Sequence, residues 1–149
     1  MGERKGKALF KYISFGVCGK VRGQARPRFT GKRRKGKKQA YEMPEDTAYK
    51  KAIAKAYREA ANGVFFTGEV SMIVHVYRKM PKSKKGASEP DIYKPDIDNI
   101  AKAVMDALNG VAYEDDKQVY LLTVCKHKRS KAREKERLII SVGGDIDDH

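Results

Sequence analysis

From Arg4 to Tyr41 the chain carries 14 lysines and arginines and not one acidic side chain, and ten of those cations fall between Lys20 and Lys38. Gly31, Gly36 and Pro27 break any regular element across 20–41, so this stretch reads as a loop or a two-stranded arm that orders on its ligand. A solvated loop or a solubility tag does not require a monopoly of one sign. A surface that grips phosphates does, and nucleic acid is the favoured partner. Arg22, Arg26, Arg28, Arg33 and Arg34 strengthen that reading, because a planar guanidinium holds a phosphate through two parallel hydrogen bonds where Lys32 offers a point charge. Further cations cluster at Lys82, Lys84 and Lys85 and from Lys126 to Arg137, and the three groups are expected to line one groove. Acidic lipid would attract the same charges, but no amphipathic helix places an apolar face beside them.

The remaining sequence has to supply a core. With 149 residues and 40% hydrophobic side chains, one domain spanning 1–149 is expected. No apolar run approaches the ~20 residues of a membrane span. Strands are predicted over Ala8–Val17, Phe65–Tyr77, Lys117–Lys126 and Glu136–Val142. Helices are predicted from Pro44-Glu45-Asp46, capped by Asp46 or Thr47, to Asn62-Gly63, and from Asp98 to Leu108 with a buried stripe of Ile100, Val104, Ala107, Leu108 and Val111. Lys117–Lys126 is apolar on both parities, which predicts a place in the middle of a sheet. The acidic tail Gly143–His149 is expected to fray. The order β, α, β, α, β, β defines an α+β fold, a mixed β-sheet of about four strands with two helices packed against one face. Cys18 and Cys125 show no CxxC or Cys/His ligand spacing, so reduced thiols and no structural zinc are expected.

Against this basic background the carboxylates are conspicuous. Lys94-Pro95-Asp96-Ile97-Asp98-Asn99 places two acids at the start of the second helix, and Asp115-Asp116 supplies two more before the following strand. An extended backbone at Asp96–Asp98 puts both carboxylates on one side. If Asp116 approaches them, three like charges meet, and a hard divalent cation with oxygen ligands, Mg²⁺ or Mn²⁺, removes the repulsion. The same acids also serve as ordinary helix caps, dipole partners and turn residues. Lys102 lies four residues from both Asp98 and Asp106, as a surface ion pair or as a fixed positive charge beside a scissile phosphate. His75 and His127 are read as packing or phosphate-contact residues.

The run Lys94-Pro95-Asp96-Ile97-Asp98-Asn99, then Lys102, then Asp106-Ala107-Leu108-Asn109-Gly110, then Asp115-Asp116-Lys117-Gln118-Val119 resembles the signature of the RusA-type Holliday junction resolvases. Arg26-Pro27-Arg28-Phe29-Thr30 and Pro81-Lys82-Ser83 resemble further segments of that family. The resemblance implies an Mg²⁺-dependent endonuclease, with Mn²⁺ able to substitute, that cuts four-way DNA junctions as a homodimer. It implies Asp96, Asp98 and Asp116 as metal ligands, Asp115 as a neighbour able to share ligation, and Lys102 as the essential lysine. The DNA arms would be held by Arg22, Arg26, Arg28, Lys32, Arg33, Arg34, Lys82 and Lys84, in a cytoplasmic, nucleoid-associated protein of bacterial or phage origin. Two rivals share the charge pattern: a noncatalytic nucleic-acid-binding protein, and a metal-dependent nuclease for another branched substrate.

Overall fold

The computed structural model describes residues 9–25, 28–34 and 37–147. In chain order the elements are β1 (Leu9–Cys18), the hairpin strands β2 (Arg28–Arg34) and β3 (Lys37–Tyr41), α1 (Pro44–Ala61), β4 (Val70–Tyr77), β5 (Ser88–Glu89), α2 (Ile97–Leu108), a 3-10 turn (Asp116–Gln118), β6 (Val119–Lys126), β7 (Arg129–Ser130) and β8 (Arg137–Ile146). The main sheet has the order β1-β8-β4-β6; β8 is antiparallel to both β1 and β4, and β6 runs parallel to β4. This is the expected mixed four-stranded α+β architecture, and the two-stranded arm is the β2–β3 hairpin.

Strand alternation creates two unlike faces. Val70, Met72, Val74 and Val76 of β4 are fully buried beneath the helices, together with Leu138, Ile140 and Val142 of β8. Ile53 and Tyr57 of α1 and Ile100, Val104 and Leu108 of α2 complete this one-sided core. The intervening residues Ser71, Ile73, His75 and Tyr77 are half-buried on a face that carries no helix.

Three expectations are corrected. The first helix begins at Pro44 with Met43 in the capping position, which leaves Asp46 to bind Arg22 and Thr47 to donate to Glu42. β6 is an edge strand rather than a central one: its apolar residues on both parities reflect exposure, with Tyr120 61%, Leu121 50% and Leu122 39% exposed. The tail does not fray at once. Gly143–Ile146 continues β8 and pairs with Leu9–Tyr12, and residues 148–149 lie outside the described part, as does Ala8. On its other side β8 approaches β4 closely, since a Cβ at Gly144 would stand 2.6 Å from the Glu69 carbonyl oxygen.

The layering has a measurable consequence. Leu108→Ala removes a fully buried side chain and is expected to lower stability by about 2–5 kcal/mol. Leu121→Ala on the half-exposed edge is expected to change it by no more than about 0.5 kcal/mol. Urea denaturation of both variants checks the assignment, and equal losses would contradict it.

Candidate metal centre and its basic surroundings

The segment leading into α2 is fixed by a buried ionic node. The Asp91 side chain is fully buried, with Arg78 Nη1 at 3.0 Å and Lys126 Nζ at 3.6 Å from its Oδ1. Lys126 Nζ also donates to the carbonyls of Tyr93 (2.5 Å) and Pro95 (3.0 Å). The Arg129 guanidinium lies 3.8 Å and the Lys84 ammonium 4.1 Å from the Tyr93 ring centroid. The chain then passes a cis Lys94–Pro95 peptide. From the other side Gln24 N–H donates to the Asn99 carbonyl (2.8 Å), and Gly23 packs so closely that a Cβ would stand 2.7 Å from Pro95 Cβ and 3.0 Å from Asn99 Cβ. The backbone presenting Asp96 is therefore held by β4, β6 and the residues that precede the basic hairpin.

Within this frame the acids have different duties. Asp96 is the N-cap of α2 in extended conformation, yet its side chain makes no capping hydrogen bond. Asp98, in the first turn, faces Lys102 Nζ at 3.9 Å, both side chains about two-thirds exposed. An exposed i, i+4 pair contributes only ~0.3–0.5 kcal/mol, too little to account for it as a structural device. Asp106 pairs instead with Lys50 on α1 at 2.5 Å. Asp115 caps the 3-10 turn: it accepts the Lys117 N–H (2.9 Å), while Gln118 Oε1 accepts the Asp115 and Glu114 N–H groups. Gln118 Nε2 in turn donates to the carbonyls of Phe66 and Gly68, which ties the turn to the segment before β4. Asp116, half-buried, has an Oδ1 atom that is shielded from solvent and has no hydrogen-bond partner. A desolvated carboxylate oxygen without a donor is unfavourable unless a cation supplies the missing charge. Burial holds the neighbouring Tyr113 phenol well above its usual pKa, and Asp116, Asp106 and Asp115 add to the effect.

Hard carboxylate oxygens, one of them orphaned, fit a hard divalent cation. Asp96, Asp98 and Asp116 nevertheless form no closed cluster. Among the described residues, the three ligand atoms lying within 4.8 Å of one another belong to His75, Cys125 and His127. Cys125 therefore has histidine neighbours in space, which the absence of Cys/His ligand spacing in the sequence did not anticipate. The signal was present in Cys125-Lys126-His127, because residues two apart on a strand share a face.

The cations divide similarly. Arg22 is committed to Asp46 (Nε to Oδ1, 3.0 Å). Arg28, Lys32, Arg33 and Arg34 lie on β2 of the hairpin, and Arg26 lies outside the described residues. Lys84 bonds Tyr93 Oη and Glu89. Arg129 is buried against Glu89, and Arg133 donates to the Arg78 and Lys128 carbonyls. Much of the 126–137 cluster thus holds the protein together rather than facing solvent. Two of the basic groups do meet: Lys79, Lys82, Lys131 and Arg133 line one depression of about 560 Å³.

The structure thus combines a mixed sheet, a helix with acids at its start and a lysine one turn later, and a separate basic hairpin. Residues 19–142 match the family of the endodeoxyribonuclease RusA, and the chain belongs to that family. It is also 38% identical over 132 residues to the uncharacterized protein YqaN of Bacillus subtilis (strain 168), covering 81% of this chain and 91% of YqaN.

Two variants test the frame. Asp91→Ala leaves Lys126 without its carboxylate and Arg78 with Glu136 alone, at 4.0 Å, and is expected to cost about 3–5 kcal/mol in denaturant unfolding. Gly23→Ala forces Pro95 and Asn99 apart and is expected to cost about 1–3 kcal/mol. Wild-type stability in either would show that the segment before α2 is held by something else.

Proposed function

We propose that the protein is a divalent-metal-dependent endodeoxyribonuclease that resolves four-way DNA junctions by paired phosphodiester hydrolysis, acting as a homodimer in recombination and repair. Family membership supports the nuclease; the orphaned oxygen of Asp116 is the observation that carries the metal-dependent reading. Asp96, Asp98 and Asp116 would hold Mg²⁺, with Mn²⁺ able to substitute, and Asp115 keeps the turn that presents Asp116 in place. When bound, such an ion lowers the pKa of a water and offsets charge on a phosphate oxygen. Lys102, exposed one turn into α2, would offset the negative charge that develops on the departing oxygen. The basic hairpin, with Arg28, Lys32, Arg33 and Arg34, would track the DNA backbone, joined by Arg26 and by Lys82, while Lys84 supports the segment through Tyr93 and Glu89. A four-way junction has approximate two-fold symmetry and needs two opposed strands cut, so one site per subunit about a two-fold axis satisfies the geometry. No helix among the described residues is long and apolar enough to cross a membrane; the proposed action on DNA would take place in a bacterial or phage-infected cytoplasm.

Purified protein is expected to nick a mobile four-way junction with Mg²⁺ and to be inert in EDTA. Asp98→Asn should retain junction binding and lose cleavage, and Lys102→Ala should bind normally while cutting about 10²–10³-fold more slowly. Comparable cleavage of flaps or linear duplex would move the substrate to another class of DNA. Binding with no cleavage under any metal would make the protein a noncatalytic binder. Affinity should also fall steeply with salt, by a log–log slope of about −0.9 per neutralised phosphate.

A further inference from the structure

We propose that His75, Cys125 and His127 form a second metal site, for a borderline transition metal such as Zn²⁺, on the helix-free face of the sheet. His75 on β4 and Cys125 on β6 are register partners in the parallel ladder. The His127 N–H donates to the Val76 carbonyl at 3.0 Å, so the ladder continues past β6 and places His127 on the same face as Cys125. The three ligand atoms lie within 4.8 Å of one another, and all three residues are half-buried.

The two imidazoles are already joined, His75 Nδ1 to His127 Nε2 at 2.8 Å. In a tetrahedral site with Zn–N bonds of about 2.0–2.1 Å the nitrogens stand roughly 3.3 Å apart, so a metal replaces the shared proton with a small widening. The ring planes are held for this. His127 stacks on Tyr77 with centroids 4.4 Å apart and planes 2° apart, and His75 lies 6.4 Å from the same ring.

Two nitrogens and a thiolate form a softer donor set than the aspartates, and they discriminate in favour of Zn²⁺, Co²⁺ or Cu against Mg²⁺. Binding releases the Cys125 thiol proton to solvent. The imidazole that donates in the present hydrogen bond shifts its proton to its other ring nitrogen. Arg133 and Arg137 lie 5.1 and 5.0 Å from the centroid of the Tyr77 ring on which His127 stacks, and a thiolate would offset part of their field. Three protein ligands leave a fourth position for water. The site also bears on the acidic one. Lys126 lies between two of the ligands, faces the opposite side of β6, and holds the Tyr93 and Pro95 carbonyls. A metal that fixes 125–127 thus steadies the backbone leading to Asp96.

The decisive experiment is titration of the reduced, metal-stripped full-length protein with Co²⁺. One equivalent should produce a thiolate-to-cobalt charge-transfer band in the near ultraviolet and intense tetrahedral bands in the visible, and Zn²⁺ should bleach both and raise the melting temperature. Cys125→Ser, near-isosteric, should abolish the charge-transfer band, and His75→Ala and His127→Ala should weaken Co²⁺ binding at least tenfold. Cys18→Ser and Asp116→Asn should leave the spectrum unchanged, which separates this site from the carboxylates and its outcome from that of the nuclease reading. Absence of the band in wild type, or its loss in Cys18→Ser with retention in Cys125→Ser, would overturn the proposal. The wild-type spectrum decides the matter should any variant fail to fold.

Discussion

The buried carboxylate of Asp91 is the constraint on which the acidic site depends. It lies between Arg78, just after β4, and Lys126, the last residue of β6, so two parallel neighbours in the sheet share one counter-charge with the segment that leads into α2. A charge removed from water in this way is costly unless its partners are well placed. Here they also act in a second direction, since the ammonium that faces Asp91 holds the Tyr93 and Pro95 carbonyls. The position of Asp96 follows from this node and from the close packing of Gly23 on Pro95 and Asn99.

A formal charge of +14 would suggest a protein coated with cations, yet many are engaged internally. Arg22, Lys50, Arg78, Lys84, Lys126, Arg129 and Arg133 each contact a carboxylate, a carbonyl or a ring within the fold. Other cations lie on the β2 strand, and Lys79, Lys82, Lys131 and Arg133 line a common depression. The division places α2, with Asp98 and Lys102 exposed, on the helical side of the sheet, and the His75, Cys125 and His127 cluster on the other.

How far the sequence discloses these features depends on the range of the interaction. The stripe Ile100, Val104 and Leu108 and the alternation Val70, Met72, Val74 and Val76 are local patterns, and both lie where periodicity places them. β6 misleads because a strand with apolar residues on both parities is usually covered on both sides, whereas Tyr120, Leu121 and Leu122 stand exposed at an edge. The Asp91 node and the histidine–cysteine cluster escape a linear reading because their partners are up to 52 positions apart and meet only through sheet register. Lys102 and Asp98, one turn apart on a helix, are legible directly. Asp116 is legible as an acid, but its unpartnered oxygen is a property of the folded chain alone.

The central claim is that aspartates from the two ends of the acidic block share a cation in front of DNA. Crystals of the protein with a four-way junction, soaked in Mn²⁺, test it most directly by anomalous scattering. The account predicts a peak ligated by Asp96, Asp98 and Asp116 next to a backbone phosphate. Density showing Asp116 apart from the other two, with no ion among them while junction DNA is in place, would contradict it.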